Sequence, residues 1–147
     1  MTGKQPVLMI RQTADSICFT FSSTMKNIDD VCERTNQYIR SNLNDIDDLL
    51  FSINLVIREG LTNAVRHGNG DDPAKMVRFL FTIVSKRAIQ LMIQDEGDGF
   101  DWRKQQTLGQ LENNDHGRGI RIIGTYFNRY SYNDKGNILY LEKDLSS

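Results

Sequence analysis

The sequence predicts an α+β domain of two layers, with helices on one face of a largely antiparallel mixed sheet. Two observations carry that expectation. Apolar residues recur at helical spacing up to His67 and then switch to strand-like alternation from Lys75 onward. The first two of the later strands are separated only by Lys86 and Arg87, which reads as a hairpin between antiparallel neighbours.

In chain order, residues 1–6 read as a loose start. "VLMIRQTADSICFTFSS" offers two short strands around a polar break at Gln12 to Asp15, with Leu8, Ile10, Ile17, Phe19 and Phe21 as alternating apolar positions. "NIDDVCERTNQYIRSN" reads as a helix with Asn27 as N-cap and an inner stripe of Ile28, Val31, Cys32, Thr35, Tyr38 and Ile39. A second helix is expected from about Asp45 to His67, stopped by Gly68, Asn69 and Gly70. "KMVRFLFTIVS" and "AIQLMIQD" are the hairpin strands. "EGDGFDWRKQQTLGQLENNDHGRG" is too long for an ordinary connection, and such loops in compact domains tend to bind or cover something. "IRIIGTYFNRY" then reads as a helix, "SYNDKGN" as a strand end plus turn, and "ILYLEKDL" as the last strand.

The bulk properties narrow the function. At 147 residues the chain suits one domain, 1–147, with its own core, and a net charge of −1 supplies no basic field for direct nucleic-acid binding. Nothing resembles a signal peptide or a membrane span, so a cytoplasmic protein with no membrane partner is expected. Cys18 and Cys32 are too few for a disulfide framework and too far apart for a metal knuckle, which leaves reduced thiols.

Three motifs carry candidate chemistry. In "EGLTNAVRHGNG", Glu59, Asn63 and His67 stand four residues apart, so all three project from one face of the helix. Asn63 offers a neutral hard oxygen for Mg²⁺ already held by phosphates, and Glu59 a carboxylate able to take a proton from an attacking hydroxyl. His67 suits a helix-end role. In "DEGDGF", Asp95 ends an apolar strand and can accept from an exocyclic amine, while Gly97 and Gly99 let backbone approach a planar ligand. In "HGRGIRII", Gly117 and Gly119 open a helix whose free N–H groups attract an anion, with Arg118 and Arg121 strengthening the field. Each motif alone also suits an ordinary turn, cap or solvated face. No Walker P-loop occurs.

Together, in this order, the motifs resemble the GHKL ATPase superfamily of gyrase, Hsp90, histidine kinases and MutL. Within it the chain is most similar to the small anti-sigma factor serine/threonine kinases of bacteria, from the first helix to "LEKDL". The resemblance implies the Bergerat ATP-binding fold, with ATP and Mg²⁺ as cofactors. It assigns Glu59 to general base, Asn63 to Mg²⁺ and Asp95 to the adenine amine. Gly97 and Gly99 then lie beside base and ribose, and Gly117, Arg118 and Gly119 beside the phosphates. Trp102 to His116 becomes the ATP lid. Arg118 stands where relatives often carry an apolar residue, and the lid lacks the sequence of the better-known sporulation kinases.

The implied function is an anti-sigma factor that sequesters a sigma factor and phosphorylates a STAS-type antagonist on serine or threonine. Relatives commonly dimerise through the sheet and the N-terminal helix, which makes a homodimer a further implication. The rival is a non-catalytic module in which ATP shapes a protein-binding surface; Glu59 speaks against it, since pure binding can dispense with a base. The catalytic half of a histidine kinase would need a phospho-accepting helix pair, whereas His67 and His116 both lie inside the nucleotide motifs.

Overall fold

The computed structural model describes residues 7–98 and 115–145, and of residues 115–120 the backbone alone. Two strands, β1 (Leu8–Gln12) and β2 (Ser16–Ser22), lead into α1 (Met25–Asn42) and α2 (Asp47–Asn63). A π-helical turn, Ala64–Gly68, prolongs α2. The hairpin β3 (Met76–Ser85) and β4 (Ala88–Gln94) follows, then α3 (Asp115–Tyr126) and a second hairpin, β5 (Arg129–Tyr132) and β6 (Ile138–Asp144). The sheet runs β1-β2-β3-β4-β6-β5. A largely antiparallel sheet was expected with some parallel pairing; every described pairing is antiparallel.

The alternation of apolar residues fixes which face is covered. Ile10, Phe19, Phe79, Ile93 and Leu139 sit opposite one another across five strands, and Ile17, Phe81, Leu91 and Leu141 form the next row. Side chains opposite in an antiparallel ladder share a face, so both rows point the same way. Phe19 and Phe79 stack at 6.0 Å. Ile28, Val31 and Ile39 of α1, Ile53, Val56, Ile57 and Leu61 of α2, and Ile123 of α3 are buried with them in one core. Among the described residues, no element covers the other face of the sheet.

Helix boundaries depart from the sequence pattern for local reasons. Thr24, not Asn27, caps α1: its hydroxyl accepts from the Asn27 N–H at 3.1 Å. Asn27 is buried inside the first turn, where its amide donates to the carbonyls of Val7 and Ser22. Asp45 has a left-handed φ of 54°, so α2 starts at Asp47. At the far end the α-helix gives way to the π turn after Asn63. Asn63 is buried and Glu59 half-buried, but His67, within the π turn, is exposed.

The third helix begins two residues before Gly117 and ends at Tyr126, short of the Tyr130 expected from its pattern. Residues 129–132 pair with β6 instead, placing Tyr130 opposite Leu141 and Tyr132 opposite Leu139. These tyrosines extend the two apolar rows, and alternation outweighs helical continuity. Asn133 closes the hairpin by accepting the N–H groups of Gly136, Asn137 and Ile138, each at 3.0 Å.

Candidate functional site

The second helix lies against β4 at two glycines. A Cβ on Gly60 would run into the Ile93 side chain, so glycine lets the helix approach the sheet closely just after Glu59. A Cβ on Gly68 would strike the Asp95 carboxylate. The span 60–68, which carries Asn63, therefore packs on Ile93 of β4 at one end and on Asp95, the residue after β4, at the other. Loss of α-helical geometry falls within this span, and π-helical turns are frequent at functional sites.

Backbone packs on backbone beyond Gly68. A Cβ on Gly97 would collide with the Gly68 carbonyl oxygen, so the turn after Asp95 presses directly against the end of the π turn. Asp95 is fixed from three directions. Its Oδ1 accepts the Gly97 N–H at 2.8 Å, its N–H donates to the Asn137 carbonyl at 3.0 Å, and its carbonyl accepts from the Asn137 amide at 3.2 Å. Burial pushes the Asp95 carboxyl above its ordinary range, while the Gly97 N–H, Lys135 and Lys75 pull it partly back. Burial also drives the Tyr132 hydroxyl far up, with Tyr130 and the nearby Asp95 charge adding to the shift.

Asn69 ties this region together. It is 2% exposed, and both its amide hydrogens are used: one on Ser23 Oγ at 2.7 Å, the other on the Met76 carbonyl at 3.0 Å. Its Oδ1 accepts the Glu96 N–H at 2.7 Å. The Glu96 carboxylate in turn accepts the Met76 N–H.

Asn63 contrasts with it. The Asn63 residue is 9% exposed, yet its Nδ2 is buried without a hydrogen-bond partner. A buried polar atom left so costs about 1–3 kcal/mol, and such atoms occur where a ligand supplies the missing partner. A half-turn of the amide would present Oδ1 there instead. Among the described residues, no cluster of three or more His, Cys, Asp or Glu side chains forms a metal cage. Mg²⁺ carried by phosphates needs few ligands from the protein, and a single amide oxygen suits it. The buried amide and the close backbone approach at Gly68 and Gly97 fit a magnesium nucleotide.

The structure thus brings Asp95 and Gly97 against the end of the helix that carries Glu59 and Asn63. Gly99 and the segment 99–114, most of the expected lid, lie outside the described residues. Gly117, Arg118 and Gly119 fall in the first turns of α3, which packs beside α2. The pattern reading missed Asn69, Asn137 and Tyr132. Asn69 stood in plain view between Gly68 and Gly70, but as a helix stop; two of its three side-chain partners, Ser23 and Glu96, are far away in sequence. Among the described residues, no helix is long and apolar enough to cross a membrane.

Residues 21–143 match the family model described as the histidine kinase-like ATPase domain. The chain belongs to that family. Its relatives include the anti-sigma F factor of Geobacillus thermodenitrificans (strain NG80-2), 31% identical over 108 residues that span 67% of this chain and 72% of the relative. The anti-sigma F factor of Priestia megaterium is 31% identical over 109 residues, 68% of this chain and 73% of the other. The serine-protein kinase RsbW of Bacillus velezensis (strain DSM 23117 / BGSC 10A6 / LMG 26770 / FZB42) is 36% identical over 66 residues, 44% and 38%. Membership in the histidine kinase-like ATPase family implies ATP as the ligand and agrees with the helices-on-antiparallel-sheet architecture.

Proposed function

We propose that this protein is a cytoplasmic, Mg-ATP-dependent anti-sigma factor that phosphorylates a STAS-type antagonist on serine or threonine. The reading rests on one arrangement: the Asp95–Gly97 turn packed on Gly68, at the end of the helix that bears Glu59 and the unpartnered Asn63 amide. The similarity to anti-sigma F factors and to a serine-protein kinase supports the choice of partner class.

Each residue then has a distinct task. Asp95 accepts the amino group of adenine, and Gly97 and Gly99 leave room beside base and ribose. Asn63 turns its amide oxygen toward the cation. Gly117 and Gly119 offer backbone N–H groups to phosphate at the start of α3, and Arg118 adds positive charge. Bound Mg²⁺ neutralises charge on the transferring phosphates. Glu59 holds the acceptor hydroxyl and takes its proton as serine or threonine Oγ attacks the γ-phosphorus of ATP; the bond from that phosphorus to the β–γ bridging oxygen breaks, and ADP leaves. The domain occupies the whole chain as a single unit, and a homodimer through the open sheet face is part of the same proposal.

Glu59→Gln tests the chemistry. It keeps the size and hydrogen bonding of the side chain but removes the base. The variant should bind Mg-ATP about as well as the parent protein, with phosphoryl transfer to the antagonist down roughly 10²–10⁴-fold, the range general-base catalysis supplies. Antagonist phosphorylation by intact-mass spectrometry, beside calorimetry with ATP, reads both quantities. Equal transfer rates would discard Glu59 as base. ATP binding without any transfer to a verified partner would favour the non-catalytic module.

A further inference from the structure

We infer that Asn69 is a positioning residue for adenine recognition, setting the distance between the helix end and the turn that carries Asp95 and Gly97. The inference rests on the proposed role of Asp95 and deepens it.

The geometry is specific. Asn69 follows the π turn directly, and its own N–H donates to the Ala64 carbonyl at 2.9 Å, one residue after Asn63. Its side chain accepts the Glu96 N–H, which belongs to the peptide group directly after Asp95. The same amide grips Ser23, just ahead of the α1 cap, and the first residue of β3. Ser23, Met76 and Glu96 thus meet at one side chain with every amide donor and acceptor engaged. A fully satisfied buried network of this kind admits one arrangement, because any shift leaves a polar group unpaired. Asp95 has little freedom of its own, since Gly97 N–H holds Oδ1 and Gly68 closes the other side. The placement of the 95–97 turn against the helix is set by the backbone contact of Gly97 with Gly68 and by the Asn69 side chain, which joins the two segments through the Glu96 N–H. Asn69 therefore acts on the base through the turn, without touching it.

The test compares ATP and GTP affinity in the full chain for Asn69→Ala, Asp95→Asn and the double variant. In folded Asn69→Ala protein, ATP affinity should fall about tenfold and the preference for ATP over GTP should shrink. The two losses should be less than additive, because both variants disable one recognition element. A merely structural asparagine would lower the melting temperature while leaving the ATP-to-GTP ratio intact and the losses additive, and that result overturns the inference. If Asn69→Ala does not fold, Ser23→Ala decides. It removes one of the three contacts, and it should reduce the ATP-to-GTP ratio about twofold to threefold; an unchanged ratio overturns the inference. Failure of the underlying reading looks different. Asp95→Asn would then leave nucleotide preference untouched whatever Asn69 does. A parent protein without ATP affinity would overturn both.

Discussion

Asp95 shows how much a single residue can be asked to carry. Its carboxyl is raised from an ordinary value of 3.8 chiefly by burial. Between that value and the raised one the native state holds more protons than the unfolded chain, so this group's contribution to stability falls as pH rises through the window. At neutral pH the folded protein bears the cost of a desolvated charge. Asp95→Asn retains an oxygen for the Gly97 N–H and removes that cost. Its melting temperature at neutral pH should therefore equal or exceed that of the parent, with the gap closing as pH falls through the folded-state value of Asp95. Adenine affinity should move the other way, weaker by about 1–3 kcal/mol, because an amide nitrogen can face the adenine amine where an acceptor stood. Thermal melts across pH and calorimetry with ATP measure the two effects. A less stable variant with unchanged ATP affinity would make Asp95 a structural residue. A residue that costs stability while serving a ligand is a familiar exchange at binding sites.

At the scale of elements, the site depends on two segments that touch through glycine. A methyl group on Gly97 has nowhere to go, since the Gly68 backbone carbonyl occupies its place. Gly97→Ala should push the Asp95 turn off the helix end, costing about 1–3 kcal/mol of stability as overpacking does, and should cost ATP affinity as well. Gly70, only two residues beyond Gly68, provides the control. It has a left-handed φ of 62° with open space around it, so Gly70→Ala should cost about 1–2 kcal/mol through backbone strain and leave ATP affinity intact. Denaturant unfolding and calorimetry on both variants separate the cases, and equal affinity losses would mean that the contact at Gly97 has no special role. The same contrast marks what was legible beforehand. Strand alternation showed the inward rows of β2, β3 and β4, because a period of two is written residue by residue in Ile17, Phe19, Phe79 and Phe81. Motif order showed Glu59, Asn63 and Asp95 as a group. The π turn after Asn63, the early end of α3 and the three side-chain contacts of Asn69 were not legible. Each is decided by partners far along the chain: Asp95 for Gly68, Leu139 and Leu141 for β5, Ser23 and Glu96 for Asn69.

On the scale of the whole molecule, no described element covers one face of the sheet, and the composition of that face suits the proposed homodimer. Cys18, Leu80, Met92 and Tyr140 stand opposite one another across four strands on the side away from the helices. Tyr140 is 45% exposed, and Met9 on the edge strand is 55% exposed. On either side run more polar rows, Thr20, Arg78 and Gln94 along one, with Met9 and Ile138 at its two ends, and Thr82, Gln90 and Glu142 along the other. A groove of about 770 Å³ between Leu80, Met92, Arg129 and Tyr140 deepens the surface. A solvated antiparallel face normally alternates to polar throughout, whereas an apolar centre with a polar rim has the anatomy of a protein interface. The proposed homodimer would bury this face in both copies and leave the two nucleotide sites, on the helix side, independent. Sedimentation equilibrium should then find a dimer, and Met92→Glu, which sets carboxylates into the centre of the joined faces, should return monomers. Because Met92 points away from Asp95 and Asn63, the monomeric variant should keep its ATP affinity within about twofold, since distant sites with no shared partners act independently. A parent protein that sediments as a monomer would leave the sheet face without this partner. A monomeric variant that also loses ATP binding would show that the two sides of the sheet are coupled, and that each site draws on the second copy.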